Sequence, residues 1–187
     1  MSARDRVRWD DIYREREGQP FPAPDPLLFQ YTPIPEPGQD WRALDLAGGF
    51  GQNGLWLAAQ GYVVDVMDIS RVALLRGKAE MTRRNLRSLN FLQVDLDSAT
   101  LETNHYDLIC VFRYLKRDLF PQLREAVRPG GRVIYETFNL RYLNLVPQFN
   151  REFLLAPGEL AGYFSGWNFL YNTEEQHISR LVAVKSS

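Results

Sequence analysis

From residue 41 onward the chain alternates short apolar runs with stretches of helical period. Residues 41–46 (WRALDL) read as a strand, followed by a glycine-rich loop and a helix over about 52–60 that Gly61 ends. Residues 62–67 (YVVDVM) predict a second strand, and Ser70 is a suitable N-cap for a helix running to about residue 87. Further strands are predicted at 89–94, at 106–112 (YDLICVF) and at 132–138 (RVIYETF). Leu119, Phe120, Leu123, Ala126 and Val127 fall on one helical face, and Arg128-Pro-Gly-Gly131 stops that helix. A loop to about residue 156, a short helix at 158–164 and two strands near 167–172 and 177–184 complete the pattern. Strands alternating with helices predict a doubly wound, mostly parallel α/β sheet. The two closing strands, with no helix between them, add an antiparallel hairpin at one edge and bring the strands to seven.

The first 40 residues follow another rule. Residues 4–17 predict a charged helix with five arginines, five acids and the apolar residues Val7, Trp9, Ile12 and Tyr13. Such a helix docks a few apolar side chains on the body or serves as a lid over a site. Seven of the eleven prolines then fall between Pro20 and Pro37. Proline fixes φ and lacks an N–H, which argues against a helix or a central strand there. Phe21, Leu27, Leu28, Phe29, Tyr31 and Ile34 predict that this segment is an ordered, extended cover. The expected organisation is therefore a helix and cover over 1–40, too small to fold alone, and a sheet domain over 41–187.

Composition narrows the classes of function. The 187 residues are 45% hydrophobic and 24% charged, as in soluble globular proteins. Lys and Arg number 22 against 23 Asp and Glu, and the net charge of −1 argues against a nucleic-acid binder. One cysteine excludes an internal disulfide and a cysteine-based zinc cluster, and two histidines leave little for a metal site, so no metal is expected. No apolar run reaches the ~18 residues of a membrane span. Residues 1–8 are polar and charged, so no leader is expected, and the default compartment is the cytoplasm. His105 and His177 read as structural, and Cys110 as a small buried hydrophobe within its strand. The helix over 71–87 carries six basic residues and one acid, Glu80; this is a solvated face or a phosphate-binding one.

The chemistry concentrates in Asp45-Leu-Ala47-Gly48-Gly49-Phe-Gly51-Gln-Asn53-Gly54, between the first strand and the first helix of the sheet. Glycines allow a sharp turn and close approach to a ligand, at the carboxyl end of a strand where open sheets bind theirs. Gly49-x-Gly51-x-x-Gly54, with Asp68 19 residues after Gly49, matches the dinucleotide fingerprint and keeps NAD in view. Asp45 weighs against it: a carboxylate aimed at the cradle would repel a pyrophosphate and would suit an ammonium group.

This pattern resembles motif I of the class I S-adenosylmethionine-dependent methyltransferases. The resemblance continues in the family's order through Val-Met-Asp68-Ile-Ser, Val-Asp95-Leu, Tyr-Asp-Leu-Ile with Cys-Val-Phe-Arg-Tyr, and Arg-Pro-Gly-Gly-Arg-Val. More narrowly, Trp9-Asp-x-x-Tyr13, Phe112-Arg-Tyr-Leu115 and Phe153-Leu-Leu-x-Pro-Gly-Glu-Leu160 resemble the small tellurite-resistance-type methyltransferases. The chain departs at Gly48, where such proteins often have cysteine, and at Gln52, where arginine is common.

The resemblance implies a Rossmann-like methyltransferase fold with S-adenosylmethionine as cofactor. It implies that Asp45 lies near the methionyl ammonium and that Ala47, Gly48, Gly49, Gly51 and Asn53 form the cradle. Asp68 would accept from the ribose hydroxyls, with Ile69 and Met67 as adenine walls. Asp95 would accept from the adenine amino group, with the Leu96 backbone beside a ring nitrogen. The Phe112 and Arg113 backbone would pass beside the methionine moiety. Tyr114 and Arg113 are the first candidates to position an acceptor; Asn139, Arg141 and Tyr142 follow the fifth strand, and Trp9 and Tyr13 are candidates to close over the top. The expected acceptor is a small molecule or small oxyanion, methylated by in-line displacement. An NAD-dependent oxidoreductase and a non-catalytic cofactor-binding sensor or partner protein remain open at this point, and the sequence sets no oligomeric state.

Overall fold

A computed structural model describes residues 3–36 and 38–186. The chain forms two compact units, Met1–Thr100 and Leu101–Ser187. The first contains α1 (Ala3–Glu15), α2 (Pro26–Tyr31), β1 (Arg42–Leu46), α3 (Gln52–Ala59), β2 (Val63–Asp68), α4 (Arg71–Arg83) and β3 (Leu89–Gln93). β2 is parallel to both β1 and β3, with Asp45 opposite Val66 and Asp68 opposite Gln93. Ala43, Leu44, Val64 and Val66 are fully buried and form the centre of this half. Ser70 caps α4 as its residue type predicts, its Oγ accepting from the Ala73 N–H.

The proline-rich segment departs from expectation in one place. It contains a helical turn, α2, where the prolines argue against a helix. Pro26 sits in the first turn, where its missing N–H has no intrahelical role, and Asp25 caps it by accepting from the Leu27 N–H at 3.0 Å. The residues that follow are free of proline until Pro33. Of its apolar residues, Leu27 and Leu28 are buried, while Phe29 is 57% and Ile34 89% exposed. Tyr62 Oη donates to the Pro33 carbonyl at 2.7 Å, and Phe29 meets Trp56 edge to face. Pro37, the last proline of the series, lies outside the described residues.

The second unit contains β4 (Tyr106–Phe112), α5 (Phe120–Ala126), β5 (Val127–Phe138), α6 (Glu159–Tyr163), β6 (Asn168–Glu175) and β7 (Ile178–Val184). β4 and β5 are parallel; β7 runs antiparallel to both β5 and β6. Arg128-Pro-Gly-Gly131 is not a bare turn: β5 starts at Val127, with an irregular register opposite Tyr106 to Leu108. The glycines make this possible. Gly130, at φ +77°, donates to the Lys185 carbonyl, and the Lys185 N–H returns to Gly131. The loop after β5 holds two 3₁₀ turns, Leu140–Asn144 and Arg151–Phe153. Its far end is clasped by Arg117, which bonds the Glu159 carboxylate and the carbonyls of Glu152 and Leu154.

The strands order as β3-β2-β1-β4-β5-β7-β6, a seven-stranded mixed sheet with the antiparallel hairpin at one edge. Among the described residues, no helix is long and apolar enough to cross a membrane, and no group of three or more His, Cys, Asp or Glu could hold a metal ion.

Candidate cofactor site

The glycine loop leaves β1 at Leu46 and enters α3 at Gln52. Gly49 and Gly51 adopt φ of +58° and +73°, backbone that only glycine takes without strain. A side chain on Gly49 would run into the Tyr13 hydroxyl, and one on Gly51 would come within 2.8 Å of the Phe91 ring. Ala47 lies at φ +52° and is strained for a residue with a Cβ. Ala47→Gly is therefore expected to raise stability by about 1 kcal/mol, measured as an upward shift of the urea midpoint at unchanged slope.

Asp45 is 1% exposed. Its Oδ2 accepts from the Gly54 N–H at 2.9 Å, beneath the loop. This placement accounts for Gly48: a Cβ there would stand 2.7 Å from the Asp45 carboxyl carbon and 2.9 Å from Val66. The carboxylate fills the room a cysteine side chain would need. It also occupies an N–H of the first turn of α3, one of the donors a pyrophosphate would take.

Asp68 ends β2 and holds the opposite wall. Its Oδ2 accepts from the Gly49 N–H and its Oδ1 from the Ser70 N–H, each at 2.8 Å. Burial raises its pKa above the ordinary carboxylate value, against the lowering effect of the Ser70, Gly49 and Ile69 N–H groups; the Asp10 carboxylate raises it further. Such a carboxylate is served by a ligand that brings hydroxyl donors. Ile69 is buried beside it, and its carbonyl accepts from Gln93 Nε2 at 3.1 Å. Asp95 turns its Oδ1 to the Asp97 N–H, and Leu96 is buried. The first unit thus brings together Asp45, Ala47, Gly48, Gly49 and Gly51 around one turn, and Asp68, Ile69, Asp95 and Leu96 at the ends of β2 and β3. Asn53 is 2% exposed, and its Oδ1 accepts from the Asp25 N–H of the proline-rich segment.

In the second unit, Phe112, Arg113 and Tyr114 stand at the carboxyl end of β4. Arg113 is exposed and left-handed at φ +57°, and its N–H donates to the Glu136 carbonyl at 2.7 Å. Strain of this kind concentrates at functional sites. The Tyr114 carbonyl accepts from the hydroxyl of Tyr135, a phenol whose pKa burial raises. Beyond β5, Asn139 is buried and accepts from the Arg141 N–H, while the Arg141 guanidinium donates to the Glu174 carbonyl. Tyr142 stacks on Phe138 at 4.2 Å, with Phe149 and His177 beside them. Scattered through the chain, these four rings gave no joint sequence signal.

Three supporting residues of the first unit were missed from the sequence. Phe91 lies under Gly51, Gln93 holds Ile69, and Asp10 bonds the Ser70 hydroxyl at 2.6 Å and the Val72 N–H at 3.1 Å. Asp10 had a signal in Trp9-Asp-x-x-Tyr13; the other two had none. Three of the six basic residues over 71–87 are engaged within the chain. Arg76 donates to the Arg16 and Gln19 carbonyls, and Arg83 and Arg84 pair with Glu80.

The strand order, the glycine turn at the end of β1 and the acid at the end of β2 define a Rossmann-like fold of the methyltransferase type. Residues 34–182 match the model of the tellurite resistance protein TehB family, and the chain belongs to that family. A "Probable S-adenosyl-L-methionine-dependent methyltransferase TehB" of Haemophilus influenzae is 30% identical over 142 residues, covering 70% of this chain and 48% of that protein. The chain thus spans about half the length of the curated relatives it matches. The crystal structure of TehB from Haemophilus influenzae superimposes with a TM-score of 0.75 at 18% identity, covering 95% of this chain and 67% of that one. A Haemonchus contortus phosphoethanolamine N-methyltransferase 2, in complex with S-adenosyl-L-methionine, superimposes with a TM-score of 0.72 at 16% identity, over 94% of this chain and 56% of that one.

Proposed function

We propose that the chain binds S-adenosylmethionine in this cradle and transfers its methyl group to a small molecule or small oxyanion. We assign residues 41–187 as the methyltransferase domain and 1–40 as its cover. The observation that carries the reading is Asp68: buried, fixed by two backbone N–H groups, and set against a loop of left-handed glycines. The cofactor supplies a methyl group already activated on a sulfonium. The chain's own part is to hold it. Asp68 accepts from the ribose diol, Ile69 and Leu96 offer apolar walls, and Gly49 and Gly51 clear the cradle of side chains. Asp45 and Asp68 make the surroundings negative and favour a cationic ligand over a pyrophosphate. Arg113 and Tyr114 orient the acceptor. Positioning of this kind supplies up to ~7–11 kcal/mol of rate enhancement without a general base.

Calorimetry with S-adenosylhomocysteine and with NAD tests the cofactor: micromolar binding of the first and none of the second is expected, and the reverse would replace the reading by a dinucleotide-dependent one. Transfer of labelled methyl to a panel of thiols, chalcogen oxyanions and small metabolites tests the acceptor class.

A pH dependence follows from Asp68. Ribose hydroxyls donate to the carboxylate and not to the acid, so binding releases any proton Asp68 carries. Because its pKa is raised from 3.8, affinity is expected to fall with decreasing pH sooner than an ordinary carboxylate would cause. Titrations between about pH 8 and 5 check this, and Asp68→Asn should abolish the contribution.

A further inference from the structure

The N-terminal helix enters the site more deeply than a cover needs to. Tyr13 of α1 places its hydroxyl directly over Gly49, with its ring carbon Cζ 3.2 Å from where a Cβ on that glycine would stand. The ring is fixed from two sides, edge-on to Phe50 at 4.8 Å and beside Trp9 at 6.0 Å. Among the described residues, none of the hydrogen bonds uses the Tyr13 hydroxyl. Burial and the nearby Asp68 and Asp45 carboxylates raise its pKa, with Arg16 opposing, so the group stays a protonated donor.

The helix that carries Tyr13 is fastened to the same wall of the site. Asp10, three residues before Tyr13, accepts from the Ser70 hydroxyl and the Val72 N–H, while the Ser70 N–H donates to Asp68. A second tie comes from Arg76, which donates to the Arg16 and Gln19 carbonyls at the end of α1 and lies 4.4 Å over the Phe50 ring. These bonds join α1 to the first turn of α4 and to the glycine loop, so the phenol is held in place and not merely laid across the surface.

We propose that Tyr13 is a cofactor-binding residue, its hydroxyl donating to an oxygen of the bound cofactor, and that Asp10 is the residue that positions it. The inference rests on reading the glycine cradle as the S-adenosylmethionine site. Half-buried and held over the glycine turn with no protein acceptor, this hydroxyl is free to donate to a ligand that occupies the cradle. Gly49 is the surface it faces, and Gly49 shares its N–H with the carboxylate assigned to the ribose. α1 then contributes to affinity by completing the site.

Calorimetry with S-adenosylhomocysteine tests this on the full chain. Tyr13→Phe keeps the ring contacts and removes only the hydroxyl; a five- to tenfold weaker Kd is expected. Asp10→Ala should weaken binding to a similar extent and Asp10→Asn, which retains the acceptor oxygen, should restore it. The double variant Tyr13→Phe with Asp10→Ala should be no weaker than the poorer single variant, because both changes remove one contact; independent structural damage would multiply. Unfolding midpoints without ligand, close to wild type, show that the variants are folded. Unchanged or tighter binding by Tyr13→Phe, with Asp68→Ala still weakened, overturns the role of Tyr13 and leaves the cofactor reading standing. Wild-type protein that binds no S-adenosylhomocysteine overturns both.

Discussion

Asp68→Ala is expected to weaken S-adenosylhomocysteine binding by about 2–4 kcal/mol, a 30- to 1,000-fold rise in Kd. Two losses combine. Two charge-assisted hydrogen bonds from the ribose disappear, each worth ~1.5–3 kcal/mol before partial compensation by water. The Gly49 and Ser70 N–H groups also lose their acceptor, and with it the fixed distance between the glycine turn and the start of α4. Asp68→Asn separates these effects. It keeps one of the two backbone acceptors, turns an NH2 toward the other N–H and leaves the ribose only a neutral oxygen, so its Kd should fall between wild type and the alanine variant. Equal affinity in all three proteins would remove Asp68 from the site. Calorimetry at about pH 7.5 is the measurement.

Gly77→Ala should destabilise the fold by about 1–2 kcal/mol, against the usual sign for such a change within a helix. Alanine in a helix interior is favoured over glycine by about 0.8–1.0 kcal/mol. Here a Cβ would meet the Phe50 carbonyl oxygen and would stand 2.5 Å from the Phe91 ring. The first of these is backbone of the glycine loop itself and cannot step aside without moving Gly49 and Gly51. Overpacking of this kind costs about 1–3 kcal/mol and outweighs the helical gain. Denaturant unfolding gives the stability change, and cofactor titration should show a weaker site, because the displaced segment is the cradle. A more stable variant with unchanged affinity would mean that α4 does not brace the loop.

Much of this architecture was legible in the sequence. β4 has the expected boundaries, β1 and β2 shift by a residue, and Ser70 caps α4 as its type predicts. β1 and β4 read as apolar runs because nearly every position is buried, and β2 alternates in burial because one face is covered. The misses have local causes. α2 was hidden because proline was read only as a helix breaker, although it is at home in a first turn. The early start of β5 was hidden because pairing of Gly130 and Gly131 with Lys185 is a contact between distant residues.

The site divides in the same manner. Asp45, Gly49, Gly51 and Asp68 were readable because their spacing is set by one strand-turn-helix unit. Asn53 stands in the same unit, and its bond to the Asp25 N–H, 28 residues away in sequence, has no local signal. Gln93 and Phe91 carry no motif. Their roles exist only because β3 lies beside β2, with Gln93 opposite Asp68.

The Arg117 clasp bears on where this chain tolerates change. One guanidinium fixes the far end of the loop after β5 through the Glu159 carboxylate and two carbonyls, and buried Asn139 fixes the near end. Between the two moorings, Leu145 and Val146 are exposed and the chain from 144 to 148 faces solvent. Substitutions and small insertions can accumulate in that span while the sheet beneath stays in register.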